Sequence, residues 1–211
     1  MADIVPARDP ECAAYAAQLL RAGELVVLPT DTVYGLAAAA SNDAAVRRLY
    51  AVKGRQPDKP LPLLIANTLE AQEIAEVPPL AQQLMSRFWP GALTIVFRKQ
   101  PGFRSAALAK QETVALRVPD HDLVRDIIRL LGEPITGTSA NRSGSRAPVS
   151  AAEAAFQLGE MVALVVDGGR APGGVESTVV DVSEGAPRLV RESAVARDEI
   201  ERVLGRRLAE S

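Results

Sequence analysis

A set of short, almost uninterrupted aliphatic runs constrains this chain more than any other feature. "ELVVLPT" (24–30), "LPLLIA" (61–66), "VALRV" (114–118) and "VALVVD" (162–167) have no polar face. A strand of that kind must be covered on both sides, which calls for helices between the strands. The intervening sequence supplies them. Asp9 can cap and Pro10 can start a helix that runs through "ECAAYAAQLLRAG" to Gly23, and "NDAAVRRLYAVKG" is capped by Asn42 or Asp43 and closed by Gly54. Thr68 opens "LEAQEIAE", and "PPLAQQLMSRFW", "HDLVRDIIRLLG", "SAAEAAFQLG" and a short segment at 197–205 read as further helices. "ALTIVFRK", "PITGTSA", "STVVDV" and "PRLVRE" read as strands, the last two hairpin-like. This alternation predicts an α/β fold: a single domain over 1–211 in which helices flank one central, twisted sheet of mixed parallel and antiparallel strands.

Composition excludes several kinds of function. Only 4% of the 211 residues are aromatic, so the core is aliphatic. The formal net charge of −2 lacks the basic excess usual in a nucleic-acid binder, although local basic clusters remain. One cysteine, Cys12, and one histidine, His121, leave no disulfide framework, no cysteine zinc site and no three-histidine metal site. "MADIVPARDP" is not a signal peptide, and no apolar run approaches the ~20 residues of a membrane span. A cytoplasmic protein without membrane contact is expected.

The polar residues collect at strand ends. "VVLPTDT", "ITGTSAN" and "ESTVV" each place Thr, Ser or Asn where an apolar run meets a turn. Open α/β sheets bind ligands outside strand ends, and small hydroxyl and amide groups there leave room for one. Capping or turn formation is the better explanation of any single one of these residues, and three such clusters in one chain bring ligand binding level with it. Asp31 either orients its loop or pairs with a cleft arginine. "YAVKGRQPDKP" carries Lys53, Arg55 and Lys59 across a helix end into a Gly/Pro-rich loop, a setting suited to a polyphosphate. Arg47 and Arg48, a turn or two earlier, read as a solvated helix face. Arg117 and Arg191 sit within apolar strands and need acceptors, either a bound anion or carboxylates such as Asp31 and Asp181. There is no GxxxxGK[ST] and no GxSxG, and His121 is the only candidate partner for a serine triad. Phosphate handling without a P-loop or nucleophile–base pair implies catalysis by positioning and charge neutralisation.

"PTDTVYGL", "KGR" followed by Pro, "FWPGALTIVF", "TVALRVPDH", "TSANRSG" and "STVVDV", in this order and spacing, resemble the YrdC-like family of L-threonylcarbamoyladenylate synthases. The resemblance runs from about residue 12 to about residue 195. It implies a twisted α/β sheet around a concave basic cleft, and an enzyme that condenses L-threonine, bicarbonate or CO2 and ATP to threonylcarbamoyl-AMP and pyrophosphate. A partner transferase complex would then modify adenosine 37 of tRNA. Mg²⁺ would arrive with ATP, with no tightly bound metal in the protein. By position, Thr32, Arg117, Ser139 and Ser177 resemble threonine contacts. Lys53, Arg55, Lys59, Thr113, Asn141 and Arg191 resemble nucleotide contacts, with Arg55 and Lys53 closest to the chemistry. Two positions depart from the family pattern, the first bearing on subtype and the second on the backbone around Arg191. Leu64 stands where many long members carry histidine, and Arg191-Glu192-Ser193 stands where the family has Arg-Pro-Gly. The chain thus resembles the short bacterial type, which closes its cleft without a C-terminal domain or leaves it open. The competing expectations are a module that makes weak contact with tRNA or double-stranded RNA, and a paralogue with another carbamoyl-adenylate role.

Overall fold

The structure, a computed structural model, describes residues 2–209. Residues 1, 210 and 211 of the expected 1–211 domain lie outside the described residues. In chain order the elements are β1 (Asp3–Pro6), α1 (Cys12–Arg21), β2 (Val26–Leu28), β3 (Gly35–Ala37), α2 (Asp43–Lys53), β4 (Leu63–Leu64), α3 (Glu70–Ile74), β5 (Ala75–Glu76), α4 (Pro79–Phe88) and β6 (Leu93–Lys99). They continue as β7 (Thr113–Arg117), α5 (Asp122–Leu131), β8 (Ile135–Thr136), β9 (Thr138–Ser139), α6 (Ala151–Leu158), β10 (Leu164–Asp167), β11 (Thr178–Asp181), β12 (Arg188–Arg191) and α7 (Arg197–Leu204).

Local chemistry sets the helix ends. Asn42 Oδ1 accepts from Ala45 N at 3.0 Å at the start of α2, and Gly54 closes that helix at φ 60°. Asp9 does not reach α1 as its cap residue, but its carboxylate accepts from Glu11 N at 2.9 Å. α3 begins at Glu70 under Asn67, whose side chain accepts from Leu69 N at 2.9 Å, rather than under Thr68.

The strands form two sheets where one was expected. The five-stranded sheet runs β1-β10-β2-β3-β9 and the seven-stranded sheet runs β12-β11-β6-β7-β4-β8, with β5 beside β6. Both mix parallel and antiparallel pairs: β1, β10 and β2 are parallel, while β3 reverses against β2 and β9. The expected single strand "PITGTSA" is the joint between them. Ile135 and Thr136 pair with β4 of one sheet, and Thr138 and Ser139 pair with β3 of the other. Gly137 makes the change possible, because a Cβ there would sit 2.8 Å from the Leu64 side chain.

The apolar runs are covered on both faces, as their composition requires. Val26, Leu28, Leu164 and Val166 pack against Ala16 and Leu20 of α1 and Ile127 and Ile128 of α5. Val27 and Val165, one residue along, face the larger core with Leu36 and Leu49. Two sheets covered by helices on their outer faces leave the ends of β2, β9 and β11 to converge over β6 and β7.

Candidate functional site

Side chains alternate across a strand, and on β6 and β7 that alternation separates core from cavity. Leu93, Ile95, Phe97, Val114 and Leu116 are fully buried in the core. Thr94, Val96, Thr113, Ala115 and Arg117 face a cavity of about 320 Å³ instead. Its floor is small and partly hydroxylated, so the volume stays open to a ligand. A second cavity of about 620 Å³ adjoins it, and the two share Arg55, Thr138, Ser139 and Glu176. Every site residue expected from the sequence lines one or the other: Thr32, Thr113, Arg117, Ser177 and Arg191 the first, Lys53, Lys59 and Asn141 the second, Arg55 and Ser139 both.

The turn after β2 supplies one wall. Arg117 Nη2 is 2.5 Å from Asp31 Oδ1, with the two side chains only 7% and 13% exposed. Arg117 Nη1 donates to Thr32 Oγ1 at 2.9 Å and Nε donates to Gly91 O at 2.8 Å. The open alternative for Asp31 closes here: it is the carboxylate partner of a cleft arginine, and it also accepts from Asp120 N at 3.1 Å. Burial pulls the Arg117 pKa down, and the Asp31 charge opposes that pull. Gly91, in "FWPG", presents the carbonyl that Arg117 uses, and a Cβ on it would lie 2.6 Å from Phe88 O. The Gly/Pro-rich stretch after β10 packs on the same turn. Gly173 N donates to Asp31 O at 3.0 Å and Gly174 N to Thr32 O at 2.9 Å, while Tyr34 Oη donates to Gly169 O at 2.6 Å.

The opposite wall is built by "ESTVV". Ser177 Oγ and Thr94 Oγ1 are 2.8 Å apart. Arg191 donates through Nε and Nη2 to Ser177 O, at 3.1 and 2.8 Å, and through Nη1 to Glu176 Oε2 at 2.7 Å. The acceptor suggested for Arg191, Asp181, pairs with Arg188 at 3.0 Å. β11 and β12 are antiparallel neighbours, and Asp181 stands opposite Arg188 in their register.

Lys53 lines the second cavity with its ammonium turned to protein acceptors. Its side chain is 3% exposed, and its ammonium donates to Ser139 O, to Asn141 O at 2.8 Å and to Asn141 Oδ1 at 3.1 Å. An ammonium has three protons, and these bonds use all of them. Lys53 therefore holds the Ser139–Asn141 strand end to the end of α2. Asn141 completes the unit by accepting from Ser139 Oγ at 2.6 Å and donating to Ser145 O at 2.5 Å.

Burial pushes the Lys53 pKa down to about 8, reinforced by the charge of Arg55 and opposed by Glu176. Between about 8 and the unfolded value of 10.5 the unfolded chain binds more protons, so this group's destabilising contribution is full below about 8 and is relieved as pH rises through that window. The neutral amine has one proton fewer for the clamp. We predict that the affinity of the cleft for a polyphosphate probe such as inorganic triphosphate falls as pH rises through about 8 while thermal stability does not fall with it. An affinity that stays level through that pH would contradict this role for Lys53.

Arg55 and Lys59 form the rim. Arg55 Nε and Nη2 donate to Lys59 O at 3.2 Å and Pro60 O at 3.0 Å, and Tyr50 Oη donates to Lys59 O at 2.9 Å. The loop is thereby braced with the Arg55 guanidinium at the junction of both cavities. His121 is the N-cap residue of α5 and lines neither cavity, so no serine triad can form there. Among the described residues, no group of three or more His, Cys, Asp or Glu side chains could hold a metal ion.

Sequence reasoning missed Glu176, Thr30 and Thr94. Glu176 and Thr30 were visible in "ESTVV" and "PTDT" as polar residues beside those selected. Thr94 was hidden within the apolar run "ALTIVF", where only strand parity could reveal that it shares a face with Val96.

The family model Sua5_yciO_yrdC, described as "Telomere recombination", matches residues 18–193. The chain belongs to the Sua5/YciO/YrdC family. Among curated members, it is 43% identical over 205 residues to the threonylcarbamoyl-AMP synthase of Bacillus subtilis, covering 96% of this chain and 59% of that protein. It is 34% identical over 192 residues to the threonylcarbamoyl-AMP synthase of Homo sapiens, covering 85% of this chain and 68% of that one. Among solved members, Pyrococcus abyssi Sua5 complexed with L-threonine superposes with a TM-score of 0.91 at 38% identity, over 99% of this chain and 62% of that chain. Escherichia coli YciO, at 24% identity and a TM-score of 0.79 over 92% of this chain and 95% of its own, shares the fold. The chain thus spans under two thirds of the B. subtilis and P. abyssi Sua5/YciO/YrdC proteins.

Proposed function

We propose that this protein is a threonylcarbamoyl-AMP synthase, a nucleotidyltransferase that joins L-threonine, bicarbonate or CO2 and the adenylyl group of ATP, releasing pyrophosphate. It works in the cytoplasm and hands its product to a transferase complex that modifies adenosine 37 of tRNA. The observation that carries this reading is the pair of adjoining cavities. One is walled by Thr32, Arg117 and Ser177, the other rimmed by Arg55 and Lys59, and Ser139 lies between them. The relatives' shared name and the threonine bound to P. abyssi Sua5 support it.

On this reading the threonine amine attacks CO2: an N–C bond forms, the nitrogen loses a proton, and a carbamate results. A carbamate oxygen then attacks the α-phosphorus, and the bond from phosphorus to the pyrophosphate oxygen breaks. Neither step uses a protein nucleophile. The obstacle is the approach of two anions, which fixed cations relieve. Arg55 and Lys59 hold the phosphates, with Arg191 and Thr113 along the nucleotide. Arg117 is held rigid by Asp31 and, with Thr32, Ser139 and Ser177, takes the amino acid. Lys53 acts through Ser139 and Asn141. Mg²⁺ enters as the ATP complex, that is, with the substrate. The competing reading, a module for tRNA or double-stranded RNA, is less well supported, because the formal net charge is −2 and, among the described residues, no aromatic side chain lines either cavity for base stacking.

The test is pyrophosphate release from ATP, Mg²⁺ and bicarbonate with and without L-threonine. Threonine-dependent release is expected, and its absence would overturn the proposal.

A further inference from the structure

Thr30 is almost fully buried, yet it borders the cavity that Thr32 lines. Its hydrogen bonds fix a proton on its neighbour. Thr30 Oγ1 lies 2.7 Å from Val33 O, and a carbonyl only accepts, so the single Thr30 hydroxyl proton is committed there. Thr30 Oγ1 also accepts from Thr32 N at 3.1 Å. The 2.9 Å contact between the two hydroxyl oxygens then has one possible polarity: Thr32 donates and Thr30 accepts. From the other side, Arg117 Nη1 donates to Thr32 Oγ1 at 2.9 Å. A hydroxyl has one proton and two acceptor positions. Thr32 has given its proton and filled one acceptor position, so one acceptor position is left.

We infer that Thr30 is a positioning residue that makes Thr32 an acceptor-only contact, so that the site selects an amino acid through an N–H or O–H donor of the substrate. This deepens the proposed function and rests on it. An amine gripped through one N–H keeps its nitrogen lone pair available for attack on CO2, whereas a hydroxyl donating to nitrogen would occupy that lone pair. The arrangement also resists reversal. Turning the Thr32 proton toward the ligand would leave two acceptor oxygens facing each other at 2.9 Å.

The test uses Thr30→Val and Thr30→Ser in the whole protein, with pyrophosphate release measured against L-threonine and against L-2-aminobutyrate, which lacks the hydroxyl. Thr30→Val frees the Thr32 proton, and we expect KM for L-threonine to rise by about tenfold, the size of one lost hydrogen bond. kcat and KM for ATP should stay within about twofold, and Thr30→Ser, which keeps the acceptor and the donor, should restore KM. A KM rise that persists with L-2-aminobutyrate assigns the donor to the amino group; one that disappears assigns it to the β-hydroxyl. Thr30→Ala carries the same expectation should the valine variant not fold. An unchanged KM in a folded Thr30→Val or Thr30→Ala protein overturns the inference, as does a Thr30→Ser protein as impaired as Thr30→Val. A parent protein without threonine-dependent pyrophosphate release contradicts the proposed function instead, and the inference falls with it.

Discussion

Arg117→Ala is expected to destabilise the protein by about 3–5 kcal/mol and to abolish measurable turnover. The size comes from what is left behind. Asp31 is 13% exposed and its main charged partner is the Arg117 guanidinium, so truncating the arginine strands a largely buried carboxylate. The same substitution removes the donor to Gly91 O that ties β7 to the turn before β6, and the donor to Thr32 that shapes the amino-acid wall. Urea denaturation measures the first effect, and pyrophosphate release at a temperature where the variant is still folded measures the second. Joining Asp31→Asn to Arg117→Ala should recover part of the stability, because the stranded charge is gone, and none of the activity. A single variant that melts with the parent would mean that Asp31 finds another partner and that the pair does not hold this turn.

Arg55→Ala is expected to act differently: turnover lower by on the order of 10²-fold or more, with little change in stability. Arg55 is half-exposed, and its structural bonds are to two carbonyls of its own loop. What it contributes is a charge at the junction of the cavities, where the reacting anions would meet. Arg55→Lys restores the charge but not the forked geometry, so it should recover only part of the rate. Near-normal pyrophosphate release from Arg55→Ala would remove Arg55 from the mechanism.

Much of the fold was legible because local chemistry and global packing agree. Asn42 and Gly54 bracket α2 in sequence and in structure, and "VALVVD" is buried on both faces as its composition demands. The exceptions are elements without a local signal. β3 lies in the alanine-rich "GLAAAAS", and only its pairing with β2 and β9 makes it a strand. β1 is a mostly exposed edge strand defined by its alignment with β10. The break of "PITGTSA" between two sheets depends on how close Gly137 comes to Leu64, a contact between segments far apart in sequence.

The site divides in the same way. Which residues gather there could be read in part from polar groups at strand ends and the Lys53–Lys59 loop, with the rest implied by the family resemblance, but what each does depends on its partners. Lys53 looked like a phosphate ligand because it precedes Arg55, yet α2 delivers it inward to three acceptors on the Ser139–Asn141 segment. Asp31 could not be assigned until Arg117 was found against it. Thr30 and Thr32 looked equivalent in "PTDT", and the carbonyl of Val33 separates their roles.

The most direct test follows isotope-labelled bicarbonate into product in the presence of ATP, Mg²⁺ and L-threonine. A threonylcarbamoyl-AMP synthase gives one adenylate that carries both the labelled carbon and threonine, formed in equal amount with pyrophosphate, and that is the expected result. Label that enters an adenylate without threonine, or pyrophosphate released with no labelled adenylate, would contradict it.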